Sequence, residues 1–83
     1  MREIIEALME ISGKYVEIYT EHKLFGKQHV QMEFAPETEI GIGFRCKGQA
    51  IYIDKNDVID YYVGDGEIGI KGTMMCIKIR IVK

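Results

Sequence analysis

Gly66-Glu67-Ile68-Gly69-Ile70-Lys71-Gly72-Thr73-Met74-Met75-Cys76-Ile77-Lys78-Ile79-Arg80-Ile81-Val82-Lys83 is the stretch that decides the fold class. It holds two alternating runs, with Ile68 and Ile70 in the first and Met75, Ile77 and Ile79 in the second. A period of two places every second side chain on one face of a strand, so each run reads as a half-buried strand. Gly72 divides them, so the stretch is either a pair of strands or one sharply bent strand. No acidic residue follows Glu67. The polar face of the second run, Cys76, Lys78 and Arg80, is therefore a basic stripe. Its long final strand is expected to supply the edge through which copies of the chain meet.

Working backwards, the same period recurs through most of the chain. Val58 to Val63 and Ala50 to Ile53 read as short strands, separated by the polar Asp54-Lys55-Asn56-Asp57. Gly64-Asp65-Gly66 and Lys47-Gly48-Gln49 read as turns. Thr38 to Cys46 alternates with Ile40, Ile42, Phe44 and Cys46 on one face and Gly41 and Gly43 on the other. Two glycines on one face permit bending or a close backbone approach. His29 to Phe34 alternates with Val30, Met32 and Phe34 inward, and Ala35-Pro36-Glu37 ends that run because proline cannot donate to a ladder. Lys14 to Thr20 places Val16, Ile18 and Thr20 opposite Tyr15, Glu17 and Tyr19. Only the start of the chain has a helical period. Ile4, Ile5, Leu8 and Ile11 recur at three- and four-residue spacing, and Gly13 follows where a left-handed cap is needed. A helix this short must dock its apolar stripe on something larger.

The expected fold is mainly β: one domain over residues 1–83, with a helix at 2–12 and a small barrel or roll over 14–82. About five to seven short strands form a strongly bent antiparallel meander, since the connections are too short for helical crossovers. The predicted core comprises Ile40, Ile42, Phe44, Ile68, Ile70, Met75, Ile77 and Ile79.

The chain has 83 residues, 47% of them hydrophobic, and a net charge of −2. A domain of this size buries only ~60–65% of its unfolded surface, and small domains without staples often gain burial by self-association. Cys46 and Cys76 fit no zinc spacing and read as small buried residues. Residues 1–46 carry 5 Lys/Arg against 8 Asp/Glu, a balance of −3; residues 47–83 carry 6 against 5, a balance of +1. A chain that binds polyanions over its whole surface would be basic, so any such binding is expected to be local. No apolar run is long enough to span a membrane, and glutamates interrupt the N-terminal apolar pattern, unlike a signal peptide. With free cysteines and five methionines, a cytoplasmic location is expected, and no membrane partner.

The candidate chemistry is sparse. Asp54 to Asp65 fails as a calcium loop: Val58 occupies its fifth position, no glycine its sixth, and Asp65 rather than glutamate its twelfth. His22 and His29 have no clustered carboxylates or cysteines between them, so no metal or other cofactor is expected. Ser12 is the only serine, and no nucleophile–base pair can be nominated. The expectation is that the protein is not an enzyme. Five tyrosines, Tyr15, Tyr19, Tyr52, Tyr61 and Tyr62, lie on strands. Aromatic side chains on an exposed β face are platforms for bases or anchors for a protein partner.

The order of elements resembles a known family. A short helix, then Gly13-Lys14-Tyr15-Val16-Glu17-Ile18-Tyr19-Thr20, then Gly26 in the second strand, resembles the start of an Sm-like (Lsm-type) domain. Gly66 to Gly72 followed by Met74 to Ile79 is similar to that family's second motif, in which a strand ends in a basic residue and a glycine. The resemblance covers both ends of the chain; Ala35 to Asp65 is longer and holds extra strands. It implies a strongly bent small barrel with the helix stacked on its open end. It also implies rings joined edge to edge that bind RNA near a pore, with Lys71 as the one position carried over. The functional expectation is a non-catalytic β module acting through homo-oligomeric assembly or protein binding. The alternative is an RNA-binding protein using a basic and aromatic face. The contact candidates are Lys71, Lys78, Arg80, Tyr61 and Tyr62.

Overall fold

A computed structural model describes residues 2–82. Helix α1 (Arg2–Glu10) is followed by eight strands: β1 (Tyr15–His22), β2 (Gly26–Glu33), β3 (Pro36–Glu37), β4 (Ile42–Cys46), β5 (Gln49–Ile53), β6 (Val58–Gly64), β7 (Glu67–Gly72) and β8 (Met75–Ile81). All pairings are antiparallel. They build a five-stranded sheet in the order β2-β1-β8-β7-β6 and a three-stranded sheet in the order β3-β4-β5. The mainly β fold with an N-terminal helix is as expected, with eight strands rather than five to seven. The two sheets form a small roll and do not close into a barrel.

Local chemistry explains most of the boundaries. α1 stops two residues short of Ser12; its last turn loosens into Ser12 N–H to Met9 O and Lys14 N–H to Ile11 O bonds before Gly13, at φ 84°, turns the chain. The two-residue loop Lys47-Gly48 joins β4 to β5 with positive φ at both positions, the turn whose twist matches a hairpin. Pro36 does not simply end a strand. After β2, Pro36 and Glu37 form a two-residue strand at the edge of the small sheet, where a missing N–H costs no ladder bond.

The core is the space between the sheets, closed by α1. Val16, Ile18, Ile68, Ile70, Ile77 and Ile79 come from the large sheet, Phe34 from the strand connection, Ile42, Phe44 and Ile53 from the small sheet, and Ile4, Ala7, Leu8 and Ile11 from the helical segment. Each large apolar side chain buried this way contributes about 1.5–3 kcal/mol. Of the predicted core, Ile42, Phe44, Ile68, Ile70, Ile77 and Ile79 are buried, and Met75 is half-buried against them. Ile40 is 58% exposed. It lies in the bend between β3 and β4, where no ladder fixes the period of two, and the alternation restarts only at Ile42. Cys76 is exposed and Cys46 half-buried, so the buried reading fails for Cys76. Its alternation is that of the solvent face.

β8 is not an edge. It lies between β1 and β7, with Ile77 opposite Thr20 on one side and Ile70 on the other. The edges of the large sheet are β2 and β6. Sequence neighbours alone made β8 look terminal; the pairing with β1, from the other end of the chain, buries it.

One buried carboxylate tests the small sheet. Glu37 accepts from Arg45 Nη2 at 2.6 Å and from the Glu39 N–H at 3.3 Å. The Arg45 bond first, then the backbone bond, hold its carboxyl below the usual range. A depressed folded pKa stabilises above the ordinary carboxyl range and is lost as pH falls through the folded value. Thermal melts between neutral pH and about pH 3 are expected to show a shallower acid limb for Glu37→Gln than for the natural chain.

Candidate binding face

The solvent face of the large sheet is organised in rows that run across all five strands. The upper row reads Gln31, Glu17, Arg80, Glu67 and Gly64, from β2 to β6. The middle row reads His29, Tyr19, Lys78, Gly69 and Tyr62. The lower row reads Lys27, Glu21, Cys76, Lys71 and Asp60. Side chains on adjacent strands in one row are within contact distance, so each row is a continuous chemical strip.

The upper row is a hydrogen-bond network that holds the middle row in place. Gln31 Nε2 donates to Glu17 Oε1 at 2.9 Å, and Arg80 donates through Nε and Nη2 to Glu67 Oε1 at 3.2 and 3.1 Å. Tyr19 Oη donates to Glu17 Oε2 at 2.8 Å, and Tyr62 Oη donates to Glu67 Oε2 at 2.6 Å. Each bond to a carboxylate holds its phenol's pKa above the usual value, with desolvation adding to it. The Glu67 carboxyl is held low, first by the Tyr62 hydroxyl and then by Arg80. Both hydroxyls are thus committed, and the tyrosines present their ring faces.

Each ring also has a backing. Tyr19 stacks on His29 with centroids 4.4 Å apart and planes 11° from parallel. Tyr62 lies across Gly69, where a Cβ would come within 2.1 Å of its ring. Only glycine leaves room for that ring. Between the rings is a groove of about 650 Å³, with Lys78, Gly69 and Cys76 on its floor and Lys71 and Asp60 toward its lower end.

The structure brings together four of the five sequence candidates. Lys71, Lys78, Tyr61 and Tyr62 line the groove. Tyr61 does so from the opposite face of β6, half-buried against the core. Arg80 lies one row above and is paired with Glu67. Lys83 lies outside the described residues. Tyr19, His29 and Gly69 are not among the contact candidates, although Tyr19 is one of the five strand tyrosines and His29 is weighed as a metal ligand. Tyr19 shares the outward alternation of β1, but its place beside Lys78 depends on the β1–β8 pairing, which no local pattern announces.

The histidines have separate settings. His22 Nδ1 accepts from the Leu24 and Phe25 N–H groups at 3.0 and 3.3 Å, shaping the β1–β2 turn, while His29 is a stacking partner. Among the described residues no three His, Cys, Asp or Glu side chains converge on a metal position. No helix among them is long and apolar enough to cross a membrane. No protein family, no curated protein and no solved structure matches this chain.

Proposed function

We propose that the protein is a non-catalytic β module that works by assembling with copies of itself or a protein partner through the β6 edge. The observation that carries this reading is the contrast between the two edges of the large sheet. β2 is guarded by polar residues and Lys27, as natural edges usually are. β6 carries no lysine and no proline, and it exposes Ile59, Tyr62 and Val63 at 60, 46 and 42%. Its ladder to β7 is regular from Asp60 to Gly64; a bulge precedes Asp60 and the Asp60 carboxylate already accepts from the Tyr61 N–H, so the part of the edge that can pair with another strand lies beyond Tyr61. A chain this small gains the burial it lacks in that way.

Sedimentation across a wide concentration range tests it. The natural chain is expected to associate, with a melting temperature that rises with concentration, and Ile59→Lys with Val63→Lys to be monomeric and folded. A monomer at every concentration that also captures no protein partner would reject the reading.

A second reading, single-stranded RNA on the basic and aromatic face, draws support from the middle row, where Tyr19 and Tyr62 flank Lys78. Stacking on such rings tolerates any base. The charges around the groove weigh against it. Lys27 faces Glu21 and Lys71 faces Asp60 across the ladder, so the face lacks the continuous positive track that a phosphate backbone needs.

A further inference from the structure

We propose that the groove between Tyr19 and Tyr62 is a binding site for a small planar aromatic molecule carrying one negative charge. This does not depend on assembly through β6. Three features define the ligand: shape, ring geometry and charge.

The volume of about 650 Å³ falls within the range of small-molecule sites. It is a groove rather than a slot, and because the Tyr62 ring already covers Gly69, a flat ligand lies against the open side of that ring.

The two tyrosines are held before any ligand arrives. Their hydroxyls are tied to Glu17 and Glu67, and their rings are backed by His29 and Gly69. Ordering a tyrosine at the moment of binding costs affinity, and here the fold has already met that cost. Because the hydroxyls are committed, what the walls offer is π surface. That selects an aromatic ring over an aliphatic one of equal size.

The charge follows from the register. Arg80 is ion-paired with Glu67, while Lys71 stands opposite Asp60 and Lys27 opposite Glu21 in the ladder. Lys78, at the centre of the floor, has Tyr19 on one side and Gly69 on the other. It has no carboxylate in its row. It is near enough to Glu67 to help hold that carboxyl low, but Glu67 is already engaged by Tyr62 and Arg80. Four cations and four carboxylates (Glu17, Glu21, Asp60 and Glu67) balance over the whole face, but Lys78 is the cation on the groove floor with no carboxylate directly across the ladder, which suits one carboxylate, sulfonate or phosphate monoester on the ring and not a polyanion.

The test uses the full chain and three probes: 2-naphthoate, its neutral analogue 2-naphthalenemethanol, and cyclohexanecarboxylate. Binding is followed by amide chemical shifts. 2-Naphthoate is expected to saturate with its largest shifts at Tyr19, Tyr62, Gly69 and Lys78, and to bind more tightly than either other probe. Lys78→Met is expected to weaken 2-naphthoate roughly tenfold, the size of one partly screened charge contact, and to leave the neutral alcohol unchanged. Gly69→Ala displaces the Tyr62 ring and is expected to weaken both aromatic probes together. Equal binding of the neutral and anionic naphthalenes overturns the proposal, as do shifts centred away from this face. So does tighter binding of an oligouridylate with a steep salt dependence, which would mark the groove as an RNA track.

Discussion

Ile77→Asp is expected to leave the chain unfolded at neutral pH. Ile77 is 2% exposed at the middle of β8, between Thr20 and Ile70 in the ladder. An unpaired carboxylate buried there costs several kcal/mol, against a total stability of about 5–10 kcal/mol for a domain of this kind. Loss of the far-ultraviolet strand signal and of amide dispersion would register it. Cys76→Asp, one residue away and exposed, is expected to remain folded. Stepping by one residue along a strand changes the face. If Ile77→Asp were folded and Cys76→Asp were not, the register of β8 would be wrong by one.

Gly43→Ala is expected to be the most damaging conservative substitution. A Cβ at Gly43 would come within 1.9 Å of the Ile51 carbonyl oxygen and 2.6 Å of Tyr52 Cα. Both atoms are backbone in the β4–β5 hairpin, so relief requires opening the ladder rather than turning a side chain. Overpacking usually costs 1–3 kcal/mol, and this geometry belongs at the upper end, about 3 kcal/mol. For a domain of 60–100 residues that lowers the melting temperature by roughly 12–24 °C. Gly69→Ala is the informative comparison. Its Cβ would meet only the ring of Tyr62, which can swing into solvent. Thermal melts should therefore separate the two glycines clearly. Near-equal melting temperatures would show that β4 and β5 can part without cost, contrary to the packing described.

The contrast between these glycines marks what local sequence can and cannot reveal. Gly41 and Gly43 share one face of an alternating run, and a close backbone approach there was legible. Gly69 sits in a similar run, yet its partner is a tyrosine ring that leans from β6. That partner depends on which strand lies beside which.

The same boundary runs through the rest of the molecule. The sequence by itself determined the class of fold. The shift from a helical period before Gly13 to a period of two after it separates α1 from the strands, and glycine-bearing turns divide them. It also determined which face of most strands is buried, because alternation is a property of neighbouring residues and requires no knowledge of the partner strand. It misled where no ladder enforces that alternation, as at Ile40, and at Cys76, where residue type was read ahead of face. Tertiary structure alone decided that β8 is interior, that β2 and β6 are the edges of the large sheet, and that Tyr19, Lys78, Gly69 and Tyr62 form one row. Those facts rest on the pairing of β1 with β8, between residues at opposite ends of the chain. That pairing is selected by the joint burial of Val16, Ile18, Ile77 and Ile79 in one core, a property of the whole chain and of no single segment.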